Sequence, residues 1–158
     1  MKKLILSTAL AALMATPALA EKYIIMTEDG ERKEVEYTYD MTPAAALERP
    51  AVTYDGYETY PAEGYAKLTT ENLNDADVYG LNNEEIGEIE DFVVDANGQI
   101  TGAIIEVGGF LGLGEKEVLV PMDRLQIMTA GGAFTDARVY IDSTEERLEA
   151  LPEFEAEY

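Results

Sequence analysis

Short runs of alternating apolar and polar residues fill the second half of the chain and predict β-strands. Valine and isoleucine gather between residues 86 and 125, although acidic residues dominate the rest of the sequence. Within this region, Asn97-Gly98 separates the apolar run 92–94 from the apolar run 100–107. Because both turn residues tolerate the positive φ of a tight turn, this stretch predicts a β-hairpin.

The strand before this turn carries apolar residues three apart, at Ile86, Ile89 and Phe92, and this spacing imitates a helix. Gly87 and the β-branched residues favour a strand, and a bulge near residues 89–91 would account for the spacing. In the strand after the turn, apolar residues occupy both faces. That pattern is typical of a strand that is covered on two sides or lies in a closed barrel.

Three further strands and one short helix follow, which suits a small β-barrel. The strands are "EKEVLVP", "MDRLQI" and "ARVYI". Ser143, with Glu146 three residues later, predicts a capping box at the start of a helix that ends at Pro152. The predicted core consists of Val78, Ile86, Ile89, Phe92, Val94, Ile100, Ile104, Ile105, Val107, Val118, Val120, Leu125, Ile127, Val139 and Ile141.

The segment from residue 21 to residue 67 has a different character. Residues 21–39 contain two β-prone runs around a turn signal at residues 28–31, which predicts an acidic hairpin. Residues 40–67 contain three prolines and no sustained period, which predicts an irregular linker. Its tyrosines, among them Tyr54, Tyr57 and Tyr60, either form a docking segment for a partner or hold the linker against the folded domain.

Residues 1–20 have the three parts of an export signal. Lys2 and Lys3 supply the positive start, residues 4–14 the apolar run, and Ala18-Leu19-Ala20 the cleavage site. The apolar run is much shorter than the roughly 20 residues that cross a bilayer. We therefore expect cleavage after Ala20, a periplasmic or secreted protein, and no stable membrane insertion.

The chain carries 32 acidic and 11 basic residues, which gives a formal charge of −21 at pH 7. Such a charge repels nucleic acid phosphates and anionic lipid surfaces, so nucleic acid is not expected as a partner. The charge favours a basic partner protein or divalent cations, and its plainest interpretation is a solvated surface.

The residue types that are missing narrow the chemistry further. The sequence contains no His and no Cys, which excludes zinc sites of the usual type, a Cys nucleophile and a Ser-His-Asp triad. It also excludes disulfides, so burial of apolar residues must hold the fold together. We predict no catalytic, cofactor-binding or metal-binding residues.

Two local patterns begin like functional motifs but fail the required spacing. The stretch "GGFLGLGEK" fits neither the dinucleotide-binding motif nor the P-loop. We interpret it as a tight turn that presents Phe110 and Leu111 at its tip as a partner-binding knob. Residues 75–80 begin like a calcium loop, but Ile86 stands at the twelfth position, where a bidentate Glu is required.

The acids of residues 84–91 are interpreted as a solvated strand face: Glu84, Glu85, Glu88, Glu90 and Asp91. With 32 acids in the chain, some pair will always meet the distance requirement of a glycoside hydrolase, so pairing alone carries little information. A carboxylate-based enzyme or a weak divalent-cation-binding protein is the alternative function. An acid whose pKa is raised by burial in a pocket would distinguish the enzyme.

Residues 68 to about 141 resemble the PRC-barrel family, named for the photosynthetic reaction centre H subunit and shared with the ribosome maturation factor RimM. The matching features, in order, are the turn after "VYG", the strand "IGEIEDFVVD", the Asn97-Gly98 turn, the segment "GGFLGLGEKEVLVP" and the following D-x-L. The resemblance implies a small β-barrel that serves as a docking or scaffolding module, with no shared catalytic residues. The export signal departs from both named relatives, whose barrels work on the cytoplasmic side, and argues against a photosynthetic or ribosomal role.

The sequence therefore predicts a mainly β protein in four parts: a signal peptide (1–20), an acidic hairpin and Tyr-rich linker (21–67), a PRC-type barrel with a short C-terminal helix (68–151) and an acidic tail (152–158). The predicted function is a non-catalytic interaction or scaffolding module in the bacterial cell envelope. Its partner is an unknown envelope protein, and the candidate contact residues are Phe110, Leu111, Tyr54, Tyr57 and Tyr60.

Overall fold

Strands dominate the chain, as the alternating pattern predicts. The computed structural model describes residues 21–27, 30–37, 42–108 and 114–155. The strands within these ranges are β1 (Glu21–Met26), β2 (Arg32–Tyr37), β3 (Glu58–Thr59), β4 (Asp77–Tyr79), β5 (Glu85–Val94), β6 (Ile100–Val107), β7 (Lys116–Pro121), β8 (Leu125–Ala130) and β9 (Ala133–Ile141). The α-helices are α1 (Thr42–Ala45), α2 (Thr70–Leu73) and α3 (Glu145–Glu149), and 3-10 turns span Ala62–Lys67 and Met122–Arg124.

All of these strands join one sheet, and the long strand β5 organises it. One edge of β5 pairs with β6, and the other edge pairs with β4 and β1. The main path runs β2-β1-β5-β4-β9-β8-β3, while β6 and then β7 extend from β5. The pairing of β4 with β9 is parallel, and the other pairings are antiparallel. The described strands do not close into a ring, so the sheet is an open one that lines a single main core.

The core agrees with the sequence pattern. Every residue of the predicted core is buried. In β6, Ala103, Ile105 and Val107 belong to the main core cluster. Ile104 points to the opposite face and is also buried. The C-terminal tail adds Phe154, which is 1% exposed and whose N–H donates to the Glu117 carbonyl at 2.8 Å. The prediction of a strand covered on two sides is therefore confirmed for β6.

The hairpin of β5 and β6 is confirmed, although its turn is wider than the Asn97-Gly98 signal suggests. Gly98 has a φ of 81°, whereas Asn97 does not enter the positive-φ region. The Asp95 carboxylate accepts hydrogen bonds from the backbone N–H groups of Asn97 and Gln99 at 2.8 and 2.9 Å. These bonds stabilise a longer loop, which needs only one residue with positive φ.

The predicted bulge in β5 is present, because the register with β6 shifts between Ile89 and Asp91. Asp91 is only 8% exposed, so its interpretation as part of a solvated face is wrong. After the bulge, Asp91 lies opposite Ile104, on the face away from the main core, where Ile104 and Leu119 are buried as well. The other acids of that group are exposed: Glu84, Glu85, Glu88 and Glu90.

The helix cap lies one residue later than predicted. Thr144 is the N-cap of α3, and its Oγ1 accepts a hydrogen bond from the Arg147 N–H at 3.4 Å. Ser143 is instead buried directly after β9, and its Oγ donates to the Thr144 carbonyl at 3.3 Å. The cap at Ser143 is therefore wrong, because that residue still belongs to the buried chain leaving the strand. Leu148 and Leu151 are buried beneath the helix, as its apolar stripe predicts.

The N-terminal hairpin is observed as β1 and β2, and it does not stand alone. Residues 24–26 of β1 pair with residues 92–94 of β5, which extends the main sheet. The predicted signal peptide, the knob residues Phe110 and Leu111, and residues 156–158 lie outside the described residues. Among the residues that are described, no helix is long and apolar enough to cross a membrane.

Candidate functional site

Five glutamates lie on β5 and β6 and at the start of β7, where Glu115 directly precedes the strand. We call them the acidic row: Glu88, Glu90, Glu106, Glu115 and Glu117. The strand register sets this arrangement, because Glu106 lies opposite Glu88 on one side and opposite Glu117 on the other. Side chains directly opposite each other in an antiparallel pair are about 5 Å apart at Cβ, and like charges there are destabilising. Gly87 permits the close approach of β5 and β6, since a Cβ there would lie 2.4 Å from the Glu106 carbonyl oxygen.

The acidic row borders two adjoining clefts. One has a volume of about 310 Å³ and lies between Glu85, Glu88, Glu106, Glu115 and Glu145. The other has a volume of about 140 Å³ and lies between Asp75 and three members of the row. The described walls of both clefts contain carboxylates and no basic side chain. A cation that enters either cleft would therefore meet several negative charges at once.

The pKa values in the acidic row are raised. Burial, followed by the charges of Glu115 and Glu90, raises the pKa of Glu106 from its ordinary 4.5 to about 7. Burial and then the charges of Glu117 and Asp91 raise the pKa of Glu90. Burial and then the charge of Asp91 raise the pKa of Glu117. Ionisation of the acidic row near neutral pH is therefore unfavourable in the folded protein.

A lysine stands inside this stretch of sequence but does not neutralise the row. Lys116 lies between Glu115 and Glu117. Its Nζ donates to the Glu149 carbonyl at 2.5 Å and to the Leu151 carbonyl at 2.6 Å. Those carbonyls close the end of α3, where a cation is stabilising. The positive charge of Lys116 therefore stabilises the carbonyl groups at the end of α3.

A second surface lies on the outer face of β8, β9 and β4, where residues 51–59 cross the sheet. We call these residues the strap. Gln126 of β8 is 3% exposed, and its Oε1 accepts from the Val52 N–H at 2.8 Å. Its Nε2 donates to the Val52 carbonyl at 2.9 Å and to the Thr59 Oγ1 at 2.8 Å. The buried amide is thus satisfied by the strap.

Arg138 of β9 gathers three tyrosines around its guanidinium. Its Cζ lies 4.5 Å from the ring centre of Tyr54, 5.3 Å from that of Tyr57 and 4.6 Å from that of Tyr79. These distances are within the range of cation–π attraction. Tyr57 also donates its hydroxyl to Asp136 at 2.5 Å. This hydrogen bond is the main reason that the pKa of Tyr57 is raised.

The three tyrosines among the predicted contact residues therefore lie on the strap or beside it. Tyr54 and Tyr57 belong to the cluster around Arg138. Tyr60 packs on the main core, stacking with Tyr65 at 6.2 Å and contacting Phe134 edge-on at 5.0 Å. In the structure these tyrosines hold the linker against the sheet, which was the second of the two interpretations. Tyr54 keeps 37% of its surface exposed.

Sequence reasoning missed Glu106, Gln126 and Arg138. Glu106 sits between two apolar residues of β6, and that position shows nothing of its opposite neighbours on β5 and β7. Gln126 stands out in hindsight, because a polar residue within "LQIM" is flanked by buried positions on a short strand. The partners of Arg138 are up to 84 positions away in the sequence, so only the folded chain brings them together.

No group of three or more acidic residues within the described ranges is placed to hold a metal ion. A search of curated proteins found no match for this chain. The sequence model of the PRC-barrel domain matches residues 68–148, slightly more than half of the chain. This match and the mainly β fold confirm the family resemblance. The chain therefore belongs to the PRC-barrel domain family, which is a family of generally non-catalytic modules.

Proposed function

We propose that this protein is a non-catalytic interaction module of the bacterial cell envelope, and that its acidic row binds a basic segment of a partner protein. The observation that carries the proposal is the cross-strand register of Glu88, Glu106 and Glu117. This register concentrates like charge on one face. The placement in the envelope rests on the export signal in residues 1–20.

The energetics of the row support a cationic partner. Burial and then the charges of Glu115 and Glu90 raise the pKa of Glu106, so ionisation of the row reduces stability in the free protein. Lysine or arginine side chains placed between them would remove this repulsion. Binding should then lower the pKa values of the row. The complex should consequently weaken at acidic pH, where the row is protonated, and at high salt, where the charges are screened.

The test compares two triple variants of equal charge in pull-downs from envelope extract. Glu88, Glu90 and Glu115 are exposed members of the row and are changed to Gln. Glu48, Glu71 and Glu155 are exposed elsewhere and are changed to Gln in the matched control. We expect the row variant to lose the bound partner and the control to retain it. Equal retention by both variants would contradict the proposal.

One observation favours the carboxylate-based enzyme as a second candidate. Glu106 borders both clefts and has a pKa raised by burial to about 7, which suits a general acid. A single substitution separates the two functions. Glu106→Gln removes one of five charges, so a binding surface should keep most of its affinity, whereas a general acid would be lost entirely. Turnover of a substrate that is abolished by Glu106→Gln would establish the enzyme.

A further inference from the structure

The strap is attached to the sheet differently from the chain on either side of it. Before the strap, Ala44, Leu47 and Pro50 are buried. After it, Tyr65 and Leu68 are buried. No residue from 51 to 59 is fully buried. The strap is therefore a loop with two ends anchored in the core and a middle that lies on the surface.

Polar contacts hold the middle of the strap, together with the packing of Val52 and Tyr57 on the cluster of Tyr79, Met128 and Tyr140. The polar contacts are the bonds of Gln126 to Val52 and Thr59, the Tyr57 hydroxyl on Asp136, and the guanidinium of Arg138 among the tyrosine rings. When the strap lifts, contacts with water replace each of these interactions. Each therefore contributes only about 1 kcal/mol net to the stability of the closed strap. The Arg138 Nε is buried without a hydrogen-bond partner among the described residues, which weakens the closed state. A cleft of about 510 Å³, bordered by Val52, Thr59 and Gln126, opens beside the strap.

The surface beneath the strap has the features of a site for an extended peptide. β3 covers β8 with two residue pairs, Glu58 opposite Thr129 and Thr59 opposite Met128. Gln126 binds both the N–H and the carbonyl of one strap residue, as a neighbouring strand would. Met128, Tyr79 and Tyr140 form a small apolar cluster beside it. Backbone groups on an uncovered strand edge bind added strands, and adjoining pockets give selectivity.

We propose that the strap opens as a unit between its anchors at Pro50 and Tyr60, and that the uncovered edge of β8, with Gln126, binds an extended polypeptide segment of a partner. This site is separate from the acidic row, and the proposal does not depend on the function assigned to that row. The strap occupies the site in the free protein and competes with the partner for it. The partner segment is an extended chain that offers one backbone N–H and one carbonyl to Gln126.

Hydrogen exchange of the whole protein tests the opening. Tyr57→Ser removes one wall of the tyrosine cluster and the bond to Asp136 without changing the sheet, and Asp55→Ala is the control at the exposed tip of the strap. We expect exchange at the Val52 and Glu58–Tyr60 amides to rise on the order of tenfold in Tyr57→Ser, with β5 and β6 unchanged. Asp55→Ala should behave like the parent protein. If the strap amides exchange only when the amides of β5 and β6 also exchange, the strap does not open as a unit and the proposal is overturned.

A labelled synthetic peptide of residues 50–60 then tests the binding site by fluorescence anisotropy. The peptide should bind Tyr57→Ser more tightly than the parent protein, because the strap of the variant competes less. Adding Gln126→Leu to Tyr57→Ser should abolish this binding, while circular dichroism verifies that the sheet persists. Failure of the peptide to bind Tyr57→Ser, or binding that survives Gln126→Leu in the folded double variant, would overturn the proposal.

Discussion

Glu106 shows how a single residue takes its properties from neighbours on other strands. Its sequence neighbours in β6 are Ile105 and Val107, both buried in the core. Its electrostatic neighbours are Glu115, just before β7, and Glu90, at the bulge of β5. Partial burial and then these two charges raise its pKa to about 7.

This raised pKa makes the stability of the protein depend on pH. The folded pKa of about 7 lies above the ordinary 4.5, so between these values the native state binds more protons than the unfolded state. The free energy of unfolding must therefore fall as the pH rises through this window. The stabilising contribution is present in full below pH 4.5 and is lost above pH 7.

We predict that Glu106→Gln stabilises the protein at pH 8 and has little effect at pH 5. At pH 8 the substitution removes a repelled charge, which we put at about 1 kcal/mol after allowing for solvent screening of a partly exposed group. At pH 5 the amide replaces a carboxyl that is already protonated. Urea unfolding at both pH values measures the difference. A loss of stability at pH 8 would mean that Glu106 makes a favourable contact that outweighs the repulsion.

At the scale of single elements, the sequence predicted strands and helices well where their signals were local. The β5–β6 hairpin, its bulge and the C-terminal helix all follow from nearby residues. The details that were wrong depend on contacts made elsewhere. Asp91 is buried opposite Ile104 on the face away from the main core, and Ser143 does not cap α3 because it is still buried after β9. The strap shows no period because its partners, such as Gln126 for Val52, are 74 positions away.

The observed cap of α3 gives a test at this scale. Thr144→Ala removes the oxygen that accepts from the Arg147 N–H, and we expect a loss of about 1 kcal/mol in the free energy of unfolding. Ser143→Ala is the matched control. It removes only the contact of the Ser143 hydroxyl with the neighbouring Thr144 carbonyl, outside the helix, and should cost less. Thermal unfolding measures the loss of stability in both variants. A larger loss for Ser143→Ala would mean that Ser143, the residue that the sequence favoured, is the cap.

For the whole molecule, family membership follows from the order of motifs in residues 68–148, and so it was within reach of the sequence. The proposed binding surfaces were not, because the acidic row depends on the exact register between successive strands and the strap depends on contacts with residues distant in sequence. A formal charge of −21 says that the protein is acidic, but it does not say which acids lie side by side on one face. The register of β5, β6 and β7 supplies that information. Lys116 illustrates the difference between position in the sequence and position in the fold. Its sequence neighbours belong to the acidic row, but its charge lies at the end of α3.

We propose that the acidic row, and not the overall negative charge, binds a cationic segment. Titration with a labelled lysine-rich peptide at low ionic strength separates these two possibilities when the parent protein is compared with the two triple variants of equal charge. We expect on the order of tenfold weaker binding when Glu88, Glu90 and Glu115 are changed to Gln, and a much smaller change when Glu48, Glu71 and Glu155 are changed. Equal weakening by both variants would show that net charge alone attracts the peptide, and it would contradict the proposed role of the acidic row.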